Sequence, residues 1–255
     1  MNFFTYHMPP FLTVMGFFYI LVAAPFIINL LLSGYWRGVF SQLILNCKEH
    51  IRLILAVIAL VIGFIIWLDL PLTVWVIEID KSIHCYTFWD FICSCGEGGF
   101  VAGLIFSVMM LATYFKRNYL AGVCKISFMS TVYGGLANAV LKFIFNRQRP
   151  SIGLDQWHFF AFFRSDGGHV NDLLYAYNSM PSGHTISTVA AIVPFLYAYK
   201  NKALRVGLLT YPVLVGIARI YTVNHWLSDV TVASLFGFLI GLSVYQKNEW
   251  RLKHG

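Results

Sequence analysis

Three short stretches of the chain hold side chains whose types and spacing suit work on an anion. Lys142 to Pro150 reads KFIFNRQRP, Pro181 to His184 reads PSGH, and Arg219 to Asp229 reads RIYTVNHWLSD. Lys142, Arg149 and Arg219 are cations able to hold anionic oxygens, and a guanidinium does so in bidentate fashion. Ser182 and Gly183 form a small-residue turn where backbone can approach a ligand closely, and the free amides of a helix start add to the pull on an anion. His225 and Asp229 stand at i and i+4. On a helical start that spacing lets the carboxylate take a proton from one ring nitrogen and raise the nucleophilicity of the other. His184 adds a second imidazole that titrates near neutrality. Charge compensation, a nucleophile and an acid are what in-line phosphoryl transfer requires.

Each piece also has a structural alternative. Lys142 at the end of an apolar helix can simply snorkel to the headgroups. Ser182 can be an ordinary N-cap, and His225 with Asp229 an ordinary helix cap. None of these accounts for His184 one residue into an apolar run, or for three cations arriving at the same face. Lys142 and Arg149 lie seven positions apart, about two helical turns, which predicts one helix face ended by Pro150.

The elements that must position these residues are membrane helices. The chain has 255 residues, 58% hydrophobic and 11% charged, with a mean hydropathy of +0.70. Soluble domains carry about 25% charged residues, so the balance marks a polytopic membrane protein. Apolar runs predict spans near residues 10–33, 51–69, 99–115, 120–145, 183–199, 204–222 and 228–246. The runs are continuous, not alternating, which excludes a β-barrel. Residues 34–50 and 70–98 read as amphipathic or interfacial, with Trp75, Tyr86, Phe88 and Trp89 at headgroup level. No cleavable leader is expected, because the first basic residue is Arg37.

Basic residues set the expected orientation. Arg37, Lys48, Arg52, Lys116, Arg117, Lys125, Lys200, Lys202, Arg205, Lys247, Arg251 and Lys253 all fall on one side of these spans. That side is cytoplasmic by the positive-inside rule, which turns all three motifs outward. The net charge of +7 is thereby explained without nucleic acid, since no basic face or tract is formed. The five cysteines have no metal-ligand spacing and read as free thiols, although pairing among Cys85, Cys93 and Cys95 stays open. In the long loop 151–180, His158 and His169 read as solvated. Trp157, Phe159, Phe160, Phe162 and Phe163 read as an interfacial lid or acyl-chain contact.

The pattern Lys-x6-Arg-Pro, Pro-Ser-Gly-His, Arg-x5-His-x3-Asp resembles the type-2 phosphatidic acid phosphatase superfamily, which includes glucose-6-phosphatase and the vanadium haloperoxidases. The resemblance covers roughly residues 51–246. It implies that Lys142, Arg149 and Arg219 hold a phosphate together with Ser182 and the amide of Gly183. It implies further that His225 attacks phosphorus, Asp229 holds its ring, and His184 protonates the leaving oxygen. The family uses no metal, so no cofactor is expected. One departure is Ala218, where the family usually has serine.

The expected architecture is an all-α membrane bundle. Residues 1–50 supply one N-terminal span and an interfacial segment, and residues 51–255 a six-span core that includes loop 151–180. The expected partners are the bilayer and a phosphorylated membrane lipid: undecaprenyl pyrophosphate, a lipid A phosphate, phosphatidylglycerol phosphate or phosphatidic acid. The expected setting is a bacterial inner membrane, with the site facing the periplasm and the C-terminus in the cytoplasm. A lipid phosphotransferase would use the same residues. An anion transporter would instead line its path through the midplane, whereas these charges sit at span ends.

Overall fold

Long apolar runs leave a chain in lipid one economical way to satisfy its backbone polar groups, which is to coil into helices. The structure, a computed structural model, describes residues 34, 36–79, 83–161 and 176–254, and every regular element among them is helical. In chain order these are α1 (Val39–Glu49), α2 (Ile51–Trp67), α3 (Asp69–Glu78), α4 (Ile83–Cys95), α5 (Gly98–Tyr114), α6 (Asn118–Phe145), α7 (Gly183–Ala198), α8 (Lys202–Tyr221) and α9 (Leu227–His254). The span expected at 10–33 lies outside the described residues. The other six expected spans all fall on helices.

Three helices, α6, α8 and α9, are each long and apolar enough to cross a membrane alone. The two stretches expected to be interfacial are more closely tied to the spans. Helix α1 joins α2 across a 75° bend, and α4 joins α5 across a 59° bend, so each pair can serve as one broken span. The α4–α5 break falls at Gly96 and Glu97, where Tyr211 of α8 donates to the Cys95 carbonyl at 2.6 Å. Only Leu68 separates α2 from α3.

Helix α9 is the axis of the bundle, packed by α7, α6, α1 and α2, while α8 lies against α7. Small residues let α7 and α9 run close together. A Cβ on Gly237 would meet the Val189 Cβ at 2.8 Å and the Ile186 carbonyl at 2.9 Å. One on Gly241 would meet the Val193 Cβ at 2.8 Å and the Ala190 carbonyl at 2.9 Å. Dispersion and close backbone approach hold such helices together where lipid supplies no hydrophobic drive. The two N-termini meet as a result, with the Ser182 amide donating to the Asp229 carbonyl at 3.3 Å. Val101, Ile105 and Met109 of α5, with Cys124, Ile126 and Phe128 of α6, fill the core behind them.

The bundle has two distinct ends. At one, Tyr119 of α6 donates to the Ala198 carbonyl of α7 at 3.1 Å, and Lys247 and Arg251 of α9 lie against Gly38 and Gly34. At the other, α6 and α8 deliver their C-termini while α7 and α9 begin. All three motifs sit at this second end. Helix α1 is fastened to α9 by a fully buried Asn46, whose amide donates to Ser243 at 2.9 Å. Cys47, Cys93, Cys95 and Cys124 carry no disulfide.

Candidate active site

The first motif does not form the single helical face expected of it. Helix α6 stops at Phe145, four residues before Arg149, because Asn146 turns into the left-handed region at φ 38°. Asparagine tolerates that conformation, and its side-chain amide donates to the Tyr177 carbonyl at 3.1 Å. Lys142 stays in the last helical turn, where its ammonium donates to the Asn178 carbonyl at 3.0 Å. Arg149 arrives instead on an extended segment, its amide bonded to the Ala176 carbonyl at 2.8 Å and its Nη1 donating to the Asn224 carbonyl at 3.3 Å. The stop at Asn146, not Pro150, sets this geometry.

The second motif makes a helix start with its donors uncovered. Ser182 occupies the N-cap position of α7 but bonds no backbone amide there, and its hydroxyl instead accepts from Thr185 at 3.1 Å. The amides of Gly183, His184 and Thr185 precede the first intrahelical bond, from Ile186 to Ser182, and have no helical carbonyl to meet. Gly183 packs tightly on α6, since a Cβ there would lie 3.0 Å from the Asn138 amide nitrogen.

The third motif is a helix end, a tight loop and a helix start. Arg219 lies in the last turn of α8, only 6% exposed, and its carbonyl accepts the amides of Asn224 and His225, each at 3.2 Å. Val223 closes that loop at φ 55°, a conformation that costs a β-branched residue on the order of 1–3 kcal/mol. His225 therefore precedes α9 instead of standing on it. Its Nδ1 lies 3.6 Å from Asp229 Oδ2, which is longer than a hydrogen bond. The carboxylate's nearer duties are to accept the Trp226 amide at 2.9 Å, in the manner of a capping box, and the Ser179 hydroxyl.

These segments bring the expected residues to one place. The His225 imidazole is held well below its ordinary pKa, first by burial and then by the charges of Arg149, Arg219 and Lys142, with the nearby Ser179 backbone opposing. The same three cations and His225 are within electrostatic reach of His184. Arg219 Nε and His225 Nδ1 are buried with no hydrogen-bond partner among the described residues.

Two residues of this centre went unmarked in the sequence reading. Arg147 is fully buried and donates from Nη1 to Asp229 at 2.7 Å and to Ser228 at 2.6 Å. From Nη2 it donates to Asp69 at 2.8 Å and to the Gln156 carbonyl at 2.9 Å. Asp69, also fully buried, accepts the Ser228 amide and hydroxyl. A signal existed for both, since each is a charge at a span end in an apolar chain. Their pairing across the sequence carries no periodicity to reveal it. His158, expected to be solvated, instead packs on Tyr177 with ring centroids 5.0 Å apart. Of the aromatic lid, Trp157 and Phe160 are about half exposed, whereas Phe159 covers Arg147; Phe162, Phe163 and His169 lie outside the described residues.

The sequence model of the PAP2 superfamily, the type-2 phosphatidic acid phosphatases, matches residues 122–253, which contain all three motifs. The chain belongs to this superfamily. Two solved structures share its fold. An Aquifex aeolicus protein, LpxE, is 22% identical, with a TM-score of 0.51 over 70% of this chain and 95% of its own. A transmembrane PAP2-type phosphatidylglycerolphosphate phosphatase from Bacillus subtilis is 21% identical, with a TM-score of 0.58 over 78% of this chain and 96% of its own. No curated protein matches the chain significantly. The PAP2 fold is thus an integral membrane helix bundle here as well, and the motif residues lie at one of its ends.

Proposed function

We propose that this PAP2 protein is a metal-independent phosphatase that removes a phosphate or pyrophosphate from a membrane lipid through a phosphohistidine on His225. The observation that carries the proposal is the convergence of Lys142, Arg149 and Arg219 on His225 at a bundle end where α7 also presents uncovered amides. Those groups compensate the equatorial oxygens of a phosphoryl group, the largest single contribution to such catalysis. Arg219 Nε, buried without a partner among the described residues, is a donor that an anion would satisfy.

The steps follow from the positions. The cations and the α7 amides bind the phosphate. His225, kept neutral by those cations, attacks phosphorus, and Asp229 supports the ring as it gains positive charge. His184 gives its proton to the departing lipid oxygen, and phosphate binding favours that proton by cancelling the surrounding positive charge. Water then attacks the phosphohistidine, with His184 taking a proton from it, and phosphate leaves.

A site at a helix-bundle end, with Trp157 and Phe160 exposed beside it, suits a headgroup at the membrane surface more than a soluble sugar phosphate. The clustering of Lys247 and Arg251 at the other end supports an orientation with that end, and the C-terminus, in the cytoplasm of a bacterial inner membrane. The test is phosphate release in detergent with excess EDTA, from undecaprenyl pyrophosphate, lipid A, phosphatidylglycerol phosphate and phosphatidic acid. Release by the wild type, abolished in a folded H225A, is expected. Retained turnover in H225A removes the nucleophile assignment, and transfer of the phosphoryl group to a second lipid without phosphate release replaces hydrolysis with phosphotransfer.

A further inference from the structure

We infer that Asp69 is a positioning residue for the attacking histidine. It fixes Arg147, and through Arg147 it holds Asp229 beside His225. The inference rests on His225 being the nucleophile.

Asp229 has one freedom that would take its carboxylate away from His225, which is rotation of its side chain. Arg147 Nη1 on Oδ1 opposes that rotation, while the Trp226 amide and the Ser179 hydroxyl hold Oδ2 on the side of the His225 ring. Arg147 therefore acts only as well as it is itself held. Its five N–H donors are all engaged, by Gln156, Ser228, Asp229 and Asp69. Its two faces are covered by Phe159 at 4.7 Å and Trp226 at 5.2 Å from the ring centroids.

Asp69 is the anchor of this assembly. It lies 159 positions before Ser228, on α3 and outside the family match, yet its carboxylate accepts the Ser228 amide at 3.0 Å in the first turn of α9. One carboxylate thus fastens both the guanidinium and the helix that carries Asp229. Two carboxylates share one guanidinium at 2.8 and 2.7 Å, with all three groups fully buried. Two carboxylates against one guanidinium leave a surplus negative charge, and Asp229 carries it to 3.6 Å from His225 Nδ1. A lysine at 147 would keep the charge but not the fork that reaches both carboxylates.

The test compares wild type with D69N, D69A and R147K in detergent, reading kcat and KM on the best lipid of the panel. The dissociation constant for inorganic phosphate, by calorimetry, reports the phosphate pocket independently of turnover. The expected result is a loss of ~10²-fold in kcat for D69N and R147K, the scale of a misplacement of about 1 Å at a reacting centre. KM and the phosphate constant should stay within about threefold, because Lys142 and Arg149 are held by the Asn178 and Asn224 carbonyls and not by Asp69 or Arg147. D69N keeps the side chain's shape, so the comparison survives if D69A does not fold. A kcat within about threefold of wild type in D69N and R147K overturns the inference. So does a loss of phosphate affinity in step with kcat, which would make Asp69 a support of the fold alone. A wild type that is silent on every lipid removes the phosphatase assignment, and the role of Asp69 with it, whereas an active wild type with an equally active D69N removes only the latter.

Discussion

Replacing Asp229 by asparagine is the sharpest probe of the proposed chemistry. The carboxylate faces His225 Nδ1 at 3.6 Å, with both side chains almost fully buried. Attack on phosphorus turns a neutral imidazole into a cationic phosphoimidazole. At an effective dielectric of about 20, opposite unit charges at that separation attract by ~4–5 kcal/mol. Arg147 on the other oxygen offsets a large share of this, leaving ~3 kcal/mol, or a fall of ~10²-fold in kcat. Asparagine also turns into an NH2 group one of two oxygens, Oδ1 accepting from Arg147 Nη1 and Oδ2 from the Trp226 amide. At least one of those donors then loses its acceptor, at a cost of about 1–3 kcal/mol in stability. The assay is steady-state phosphate release with a thermal unfolding curve on the same preparation. Wild-type kcat in a D229N protein that is visibly less stable would refute an electrostatic role and leave Asp229 as a helix cap.

Further outcomes follow from the same contacts. H184N should lose ~10²–10⁴-fold on a lipid phosphate, where an alkoxide leaves, and far less on p-nitrophenyl phosphate, whose leaving group needs no proton; equal losses on both would remove the acid assignment. R149A should raise KM by ~10-fold or more, since hydrogen bonds to charged groups contribute about 1.5–3 kcal/mol. The same variant should move the acidic limb of kcat/KM. Burial and then the nearby cations disfavour the imidazolium and hold His225 low, so activity in the wild type should persist as pH falls below ~6.5 and fail only lower. Removing one cation raises that pKa and shifts the limb upward, and a limb that stays in place or moves down contradicts the assignment. G237V must force α7 from α9, because its Cβ already lies 2.8 Å from Val189 and 2.9 Å from a backbone oxygen. It should lower the melting temperature, by the ~1–3 kcal/mol typical of overpacking, and activity should fall with it.

The helices were legible because lipid demands long apolar runs, and six of the expected spans fall on helices for that reason. The motif residues were legible because charges in such a chain are few. What local spacing could not convey was where each helix stops. Lys142 and Arg149 share no helical face, since a left-handed Asn146 intervenes, and His225 stands off α9 because its amide is tied back to Arg219. Both stops depend on contacts with distant loop carbonyls and strained backbone, to which a 3.6-residue period is blind. Arg147 and Asp69 escaped for a related reason. Each looks like an ordinary charge at a span end, and only folding shows that each is buried against the other.

The placement of charge also resolves an apparent conflict in what His225 must do. As the proposed nucleophile, the ring must be unprotonated to attack, and its burial and then the cations of Arg149, Arg219 and Lys142 serve that end. Once it has attacked, the ring carries positive charge, and the same cations would oppose it. The phosphate itself removes the conflict, because a bound dianion cancels most of the field in front of the ring. The surplus negative charge of Asp69 and Asp229, shared on one guanidinium, remains, with Asp229 3.6 Å from the ring. On the proposed mechanism the surroundings of His225 therefore favour a cation more in the loaded site than in the empty one. A neutral backing would give the first effect without the second. On that reading Asp69, on α3 and outside the family match, serves the machinery through its hold on Arg147 and α9 as well as the scaffold.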